Sequence, residues 1–252
     1  ARQSFLTTYR AVSAERGYAT STAILLDGVA KADIRMNEAL GALAEGSTRT
    51  HEGDGDCVVW IGDAFSMTKR AELVFRSQAR SNLLLIMQDR FTNECESLCC
   101  AMLLAIVGGA MPGSKCYVSI PSAASPNDLS QLRKLGQALP YSIELVDEAA
   151  TPALVDRLFA LLTSRREGAS DKEAHFWFVP QLHRCNDLRV AMKADPPSKK
   201  NTKVEQLLQD GARVGIHVIV WSDSTNLIDY QWRSHFNFRV SSRVDKDDSK
   251  VL

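Results

Sequence analysis

The chain has no excess charge of either sign, because 30 lysines and arginines balance 30 aspartates and glutamates. This balance removes any bulk electrostatic argument for binding nucleic acid or an anionic membrane, so any such contact must be local. The sequence also lacks an N-terminal secretory signal and any apolar run long enough to cross a bilayer. We therefore expect a cytoplasmic protein with no segment inserted in a membrane.

Metal-binding cysteine patterns are missing as well. The six cysteines include no Cys-X-X-Cys pair, and no histidines stand at zinc-finger spacing from them. Cys95, Cys99 and Cys100 fall in one apolar helical pattern, where cysteine behaves as a small apolar residue. We expect reduced thiols in the core and no metal site.

What the sequence does contain is a regular alternation of strand and helix patterns. Continuous apolar runs predict strands over 82–87, 115–120, 142–146, 174–179, 216–221 and 236–241. Helical patterns lie near 93–107, 127–137, 151–165, 202–212 and 224–231. Continuous apolar strands are typical of a parallel sheet that is covered on both faces. The sequence thus predicts a three-layer α/β fold, with a mostly parallel sheet and helices on both faces.

The N-terminal part follows this alternation less clearly. A short strand over 21–27 and a helical pattern precede a Gly- and Asp-rich loop over 45–56, which is the best candidate for a domain boundary. We therefore divide the chain into an extension, residues 1–56, and one large domain, residues 57–252. In the latter, 57–62 predicts a strand and 69–80 is interpreted as a basic connector.

The most specific pattern lies in the C-terminal third. Residues 215–221 read GIHVIVW, and residues 238–245 read FRVSSRVD. In this order they resemble the end of the motor domain of FtsK/SpoIIIE/HerA-type DNA translocases. A weaker match is the Leu139-Pro140 turn, which is followed by a strand and a helix ending in Arg165-Arg166. The resemblance covers roughly residues 81–252 and implies a RecA-like sheet of the P-loop NTPase type.

The family binds ATP and Mg²⁺ through a loop after its first strand, and this chain lacks the residues for such a loop. A phosphate-binding loop needs glycines, a lysine and a Ser or Thr that follows the lysine. The corresponding residues are Gln88, Asp89, Arg90, Phe91, Thr92, Asn93 and Glu94, with neither glycine nor lysine. Asp89 and Glu94 also place negative charge where a polyphosphate would meet a helix N-terminus. We expect no nucleotide cofactor in this domain.

The acidic half of the family's site is missing too. By family order, a pair of carboxylates should end the strand over 174–179, but Pro180 and Gln181 follow it. Neither residue can hold Mg²⁺ or polarise an attacking water. Because both halves of the site are missing independently, we interpret the domain as a degenerate motor copy that has no catalytic residue.

Further positions have weaker assignments by resemblance. Asp223 stands at the family's polar sensor position after the GIH strand, although capping of the next turn is the simpler role. Arg239 and Arg243 match arginines near subunit boundaries, where a contact to a neighbour's nucleotide is conceivable, and surface ion pairing is the simpler role. A compact basic cluster that could contact a phosphate backbone, or simply be a solvated loop, comprises Lys193, Lys199, Lys200 and Lys203.

Three functions stay open. The preferred one is a structural or regulatory module of a larger, oligomeric translocase-type protein. Its partners would be other domains of the same polypeptide or an active motor subunit, with duplex DNA as the substrate of the whole assembly. The first alternative is an active ATPase that uses Asp147 and Glu148 after the strand over 142–146, although a turn role for them is favoured. The second alternative is a module of a protein-secretion motor.

Overall fold

The computed structural model describes residues 56–66, 69–88, 92–109, 114–125, 127–169, 173–193 and 202–242. The strands are β1 (Cys57–Ser66), β2 (Lys69–Phe75), β3 (Leu83–Met87), β4 (Lys115–Ile120), β5 (Ile143–Asp147), β6 (His175–Val179), β7 (Ile216–Ser222) and β8 (Phe238–Ser242). The α-helices are α1 (Thr92–Gly109), α2 (Ser130–Ala138), α3 (Thr151–Arg166), α4 (Asn186–Lys193), α5 (Thr202–Asp210) and α6 (Tyr230–Arg233). Residues 1–55 of the predicted extension lie outside the described residues, so the domain boundary stays a prediction.

Six strands form one sheet in the order β5-β4-β6-β7-β3-β8, and every pairing between them is parallel. From β3 the chain continues through α1 to β4, past the places that β7 and β6 occupy later. The carboxyl ends of β6, β7 and β3 therefore lie side by side. In open parallel sheets, ligands bind at the carboxyl ends where the order of the strands changes direction.

Both faces of this sheet are covered, as β6 shows. Phe176 and Phe178 belong to one hydrophobic cluster, together with residues of the hairpin, α1 and α2. Trp177 and Val179 belong to a second cluster, together with residues of α3, α4 and α5. Because successive side chains of a strand point to opposite faces, β6, which is apolar after His175, contributes side chains to both cores. The predicted three-layer α/β fold is confirmed.

The predicted strands of the sheet agree with the observed ones to within two residues, but three segments differ from the prediction. The helix predicted near 224–231 is a 3₁₀ turn, Thr225–Leu227, followed by the short α6. Residues 69–80 are not a connector, because β2 pairs antiparallel with β1 in a separate two-stranded sheet. Phe75 of β2 is fully buried, with its ring edge-on to Phe176 and Phe238. Helix α4 was not predicted, since a helix of 8 residues gives little periodicity to detect.

At the amino ends of the strands, Asn82 joins three parts of the chain. The residue is fully buried, and its amide nitrogen donates to the carbonyls of Leu208, at 2.7 Å, and His235, at 3.0 Å. Its amide oxygen accepts from the backbone N–H of Val218 at 2.9 Å. Asn82 thereby fixes the start of β3 against β7, α5 and the turn before β8.

His217 lies in the same region and belongs to the core. Its Nδ1 donates to the carbonyl of Ser81 at 2.8 Å, and its ring stacks on Phe176. Burial lowers the pKa of His217 to about 4, against the opposing effect of the hydrogen bond to Ser81. The imidazole is therefore neutral at physiological pH.

All six cysteines are free thiols, and five of them are buried. Burial raises the pKa of Cys100 and of Cys185 to about 12, so these thiols are protonated and unreactive at neutral pH. The described residues contain no group of three or more His, Cys, Asp or Glu side chains that could hold a metal ion. Among the described helices, none has the length and apolar character needed to cross a membrane.

Candidate functional site at the carboxyl edge of the sheet

Three of the predicted positions come together at the carboxyl edge. Gln88 follows β3, Asp223 follows β7, and Pro180 with Gln181 follows β6. These strands are consecutive neighbours in the sheet. At about 4.8 Å per strand, the end of β6 lies about 10 Å from the end of β3, close enough to share one ligand. The edge is thus where the resemblance places a nucleotide site.

The segment after β3 leads into α1 with an acidic first turn. Asp89, Arg90 and Phe91 lie outside the described residues, and the helix begins at Thr92. Asn93 and Glu94 are exposed in its first turn. A glutamate there interacts favourably with the positive end of the helix and competes with any phosphate for it.

The turn after β6 contains a buried amide where the family has its acids. Gln181 is fully buried and adopts a left-handed conformation, with φ 51° and ψ 52°. Its carbonyl accepts from the N–H of Arg184 at 2.8 Å, which closes the 3₁₀ turn Leu182–Arg184. Neither the oxygen nor the nitrogen of the Gln181 amide group has a hydrogen-bond partner among the described residues. The side chain is uncharged and cannot replace a carboxylate as a Mg²⁺ ligand or as a base.

A histidine without a predicted role, His183, lies near the ends of two neighbouring strands. Nδ1 of His183, in the turn after β6, lies 3.8 Å from Oδ1 of Asp223, after β7. The predicted capping role of Asp223 is wrong, because Ser224 caps the following turn through a hydrogen bond from the N–H of Asn226 at 3.2 Å. In the sequence, the one indication that His183 lies at this site is its position three residues after Pro180, where β6 has just ended.

The arginine on this turn is already matched by a carboxylate. Nη1 of Arg184 lies 2.8 Å from Oδ2 of Asp128. The backbone N–H of Ser125 and then the Arg184 guanidinium hold the pKa of the Asp128 carboxyl below its usual range. Arg184 is therefore committed to an acid of its own chain and does not supply a free positive charge to the edge.

Asp147 and Glu148 lie on the far side of the sheet from the β3 end. Asp147 ends β5 and Glu148 follows it, and β5 is the edge strand that is four places away from β3. At about 4.8 Å per strand this is about 19 Å, too far for either carboxylate to hold a Mg²⁺ ion at a nucleotide bound after β3. The alternative of an ATPase that uses these acids would therefore need a nucleotide bound elsewhere.

Glu148 has a structural partner set instead. The residue is buried, and its Oε2 accepts from the N–H of Ser122 at 2.8 Å and from the Ser122 hydroxyl at 2.5 Å. Burial disfavours its charge, yet hydrogen bonds from Ser122 and from the N–H groups of Asn186 and Asp187 hold the pKa of Glu148 below its usual range. Glu148 thereby joins the loop after β4 to the start of α4.

We expect Glu148→Gln to lower the free energy of unfolding at neutral pH by about 1–2 kcal/mol, because a neutral amide accepts these hydrogen bonds less strongly. The lowered pKa means that the charge stabilises the fold above the unfolded pKa of the carboxyl, and that this contribution disappears as pH falls through the folded pKa. Urea denaturation at several pH values measures the loss of stability at neutral pH and its dependence on pH. The matched control is Asp147→Asn, an exposed neighbour, which should change stability by less than about 0.5 kcal/mol. Equal stability of Glu148→Gln and wild type would contradict the assignment.

The predicted basic cluster is not assembled by the described residues. The Lys203 ammonium lies 2.6 Å from Oδ1 of Asp156 and 5.9 Å from the centre of the Phe159 ring, so it joins α5 to α3. Lys193 is the last residue of α4, and Lys199 and Lys200 lie outside the described residues. A contact of this cluster with a phosphate backbone stays a prediction.

The structure describes one of the two arginines predicted near subunit boundaries, Arg239. Arg239 pairs in register with Leu84, in the amino half of the sheet and away from the edge that carries Gln88. Its guanidinium donates to the carbonyls of Phe236, at 3.4 Å, and Arg233, at 3.2 Å. Arg243 lies outside the described residues.

No protein-family model and no curated protein matches the chain. Among solved structures, it is similar to EssC (ATPases 2 and 3) from Geobacillus thermodenitrificans, with a TM-score of 0.54 and 12% identity over 82% of this chain and 40% of that one. The cytoplasmic domain of the Thermomonospora curvata type VII secretion ATPase EccC gives a TM-score of 0.55 and 16% identity, over 82% and 26%. The pCW3 conjugation coupling protein TcpA, in its monomer form with ATPγS, gives a TM-score of 0.53 and 13% identity over 80% of this chain and 58% of that one.

These comparisons define the class of the fold. The mostly parallel six-stranded sheet with helices on both faces is the RecA-like arrangement of the P-loop NTPases, as in these neighbours. At identities of 12% to 16% the similarity shows the fold alone. The chain spans between 26% and 58% of the length of these three structures. Any activity of a whole protein therefore remains to be proposed.

Proposed function

We propose that this chain is a degenerate motor domain of the FtsK/SpoIIIE/HerA type, and that it acts as a structural or regulatory module without its own ATP hydrolysis. One observation carries the proposal. The three neighbouring strands at the carboxyl edge lead into Gln88, Gln181 and Asp223, where a motor needs a phosphate loop, a pair of acids and a polar sensor.

The electrostatics of the edge support the same proposal. The described residues between β3, β6 or β7 and the α-helix that follows each of them include no lysine, and their one arginine, Arg184, is matched by Asp128. Glu94 and Asp223 add negative charge to the region that a triphosphate would enter. Bringing a polyanion to such an edge costs Coulomb energy that no described cation offsets.

The module would work through its neighbours. Its partners would be other domains of the same polypeptide or an active motor subunit in a cytoplasmic oligomer, and duplex DNA would be the substrate of the assembly. The share of each similar structure that the chain spans is consistent with a part of a larger protein. Because a fold does not fix function, this role depends on the family resemblance.

A module of a protein-secretion motor is the second candidate. It is favoured by the similar structures that are secretion ATPases, one of which is EccC (ATPases 2 and 3) in complex with a signal sequence peptide, at 15% identity and a TM-score of 0.52. Co-purification of the full-length protein with either duplex DNA or a secreted polypeptide distinguishes the two candidates.

The direct test is ATP binding and turnover by this chain. We expect titration with a fluorescent ATP analogue and Mg²⁺ to give a Kd weaker than about 1 mM, because the contacts that hold a triphosphate are missing. Phosphate release should not exceed that of buffer. Gln181→Glu is an informative control, since restoring one acid should not restore turnover while the segment after β3 lacks glycine and lysine. Mg²⁺-dependent turnover that disappears in Asp147→Ala would support the active ATPase instead.

A further inference from the structure

One edge of the main sheet is open among the described strands. β8 pairs with β3 alone, with Phe238 opposite Leu83 and Ser242 opposite Met87. The N–H of Phe238 donates to the carbonyl of Asn82, toward β3, at 3.1 Å. Because successive backbone N–H groups of a strand point in opposite directions, the N–H of the exposed Ser241 points away from β3. The outer side of β8 can therefore accept a further strand.

Arginines and an exposed aromatic ring flank this edge. The two carbonyls that hold the Arg239 guanidinium belong to the end of α6 and the turn after it. In α6, the guanidinium carbon of Arg233 lies 6.0 Å from the centre of the Tyr230 ring, and Tyr230 is 75% exposed. Arg80 is exposed beside this turn, since its carbonyl accepts from the N–H of Asn237 at 3.0 Å.

Two arginines of this surface, Arg80 and Arg233, carry charge that no described carboxylate matches. Asp229, the acid nearest to Arg233 in sequence, caps α6 by accepting from the N–H of Gln231 at 3.2 Å. The surface thus combines a strand edge that no described strand covers with guanidinium groups, which bind carboxylates in a bidentate manner.

We propose that the outer edge of β8 binds an extended acidic segment of a partner protein by strand addition. Backbone hydrogen bonds to β8 would supply affinity, and carboxylates on the segment would contact Arg233 and Arg80. Nucleic acid fits less well, because it cannot complete the hydrogen-bonding pattern of a strand edge. This proposal does not depend on the state of the nucleotide site.

The opposite edge of the sheet explains why the segment should choose β8. There β5 carries the exposed Glu144 and ends in the exposed Asp147. Nη2 of Arg157 donates to both carboxylate oxygens of Glu144, each at 2.9 Å. An acidic strand placed on β5 would lie beside the Asp147 carboxylate, a like charge that is destabilising, and the Arg157 guanidinium there is already engaged by Glu144. The two edges therefore differ in charge, although both are ends of the same parallel sheet.

The test is fluorescence anisotropy with a labelled peptide of alternating glutamate and valine. We expect saturable binding that weakens at least about tenfold in the double variant Arg80→Gln/Arg233→Gln, which removes two carboxylate contacts. The matched control Lys115→Gln/Lys134→Gln removes the same charge from exposed positions on β4 and α2, and should change the Kd by less than about twofold. A peptide with prolines in place of the valines should bind more weakly, because it lacks every second backbone N–H group.

A second readout needs no variant. Hydrogen exchange of the Ser241 amide in the wild-type chain should slow when the peptide is bound, since strand addition gives this N–H an acceptor. Equal weakening by both double variants, an unprotected Ser241 amide, or binding of a labelled single-stranded oligonucleotide without binding of the peptide would each overturn the proposal. Loss of ATP binding or its presence has no bearing on these results, so the two proposals fail separately.

Discussion

Asn82→Ala is expected to lower the free energy of unfolding by about 3–5 kcal/mol, the largest effect of any single substitution considered for this chain. The variant leaves the carbonyls of Leu208 and His235 and the N–H of Val218 without their partner in the core. Each buried backbone group that loses its hydrogen bond costs about 1–3 kcal/mol. Because these groups belong to different elements, the loss also loosens the start of β3 against its neighbours.

Urea denaturation followed by circular dichroism measures this effect, with the m-value checked for two-state behaviour. The matched control is Asn237→Ala, which removes an amide from the same end of the sheet. Asn237 is exposed and donates one long hydrogen bond, 3.3 Å, to the carbonyl of Ala79, so its loss should cost less than about 0.5 kcal/mol. A change below about 1 kcal/mol in Asn82→Ala would show that water replaces the amide and that the junction is not dry.

The second large effect is a loss of stability on mild acidification. The pKa of His217 is about 4 in the fold, against a value of 6.5 for the unperturbed group. The unfolded chain therefore binds a proton that the folded chain does not, between these two pH values. The contribution of neutral His217 is fully present above pH 6.5 and is lost as pH falls toward 4, by about 3 kcal/mol in total.

Two variants isolate this contribution. His217→Gln retains a donor for the carbonyl of Ser81, and His217→Phe retains the stacking on Phe176 but loses that donor. We expect both variants to flatten the pH dependence of stability in this window. His217→Phe should be less stable than His217→Gln at every pH, because it leaves the Ser81 carbonyl unpaired. If either variant keeps the wild-type slope, the acid sensitivity comes from other groups. The carboxylates of Glu148 and Asp128 act at lower pH, since their folded pKa values lie below the usual range.

Much of the fold follows from local sequence. The run His175–Val179 has no polar position for solvent after its first residue, which predicts a strand covered on both faces, and the structure places its side chains in two cores. Residues 69–80 are interpreted from sequence as a connector because four of them, Lys69, Arg70, Arg76 and Arg80, are basic, and this interpretation is wrong for β2. Only the contact of Phe75 with Phe176 and Phe238 shows that this segment belongs to a hairpin on the core.

The candidate site was predictable by composition and not by geometry. The absence of glycine and lysine between Gln88 and Glu94 is a property of consecutive residues, and reading them in order is enough to predict that a phosphate loop is missing. That Pro180 and Gln181 lie two strands from Gln88 depends on the order of the sheet. The approach of His183 to Asp223 required both the order and the turn after β6.

The sequence by itself therefore determined which segments are buried strands, where helices follow them, and that the residue types for binding a triphosphate are missing after β3. These properties depend on hydrophobic periodicity and on the chemistry of neighbouring residues, which act over a few positions. The tertiary structure alone decided which strands are neighbours, that Glu148 fixes α4 and that Asn82 joins β3 to Val218, 136 positions away. Such contacts form between groups far apart in the chain, because folding buries hydrogen-bonding groups that must then find partners in space.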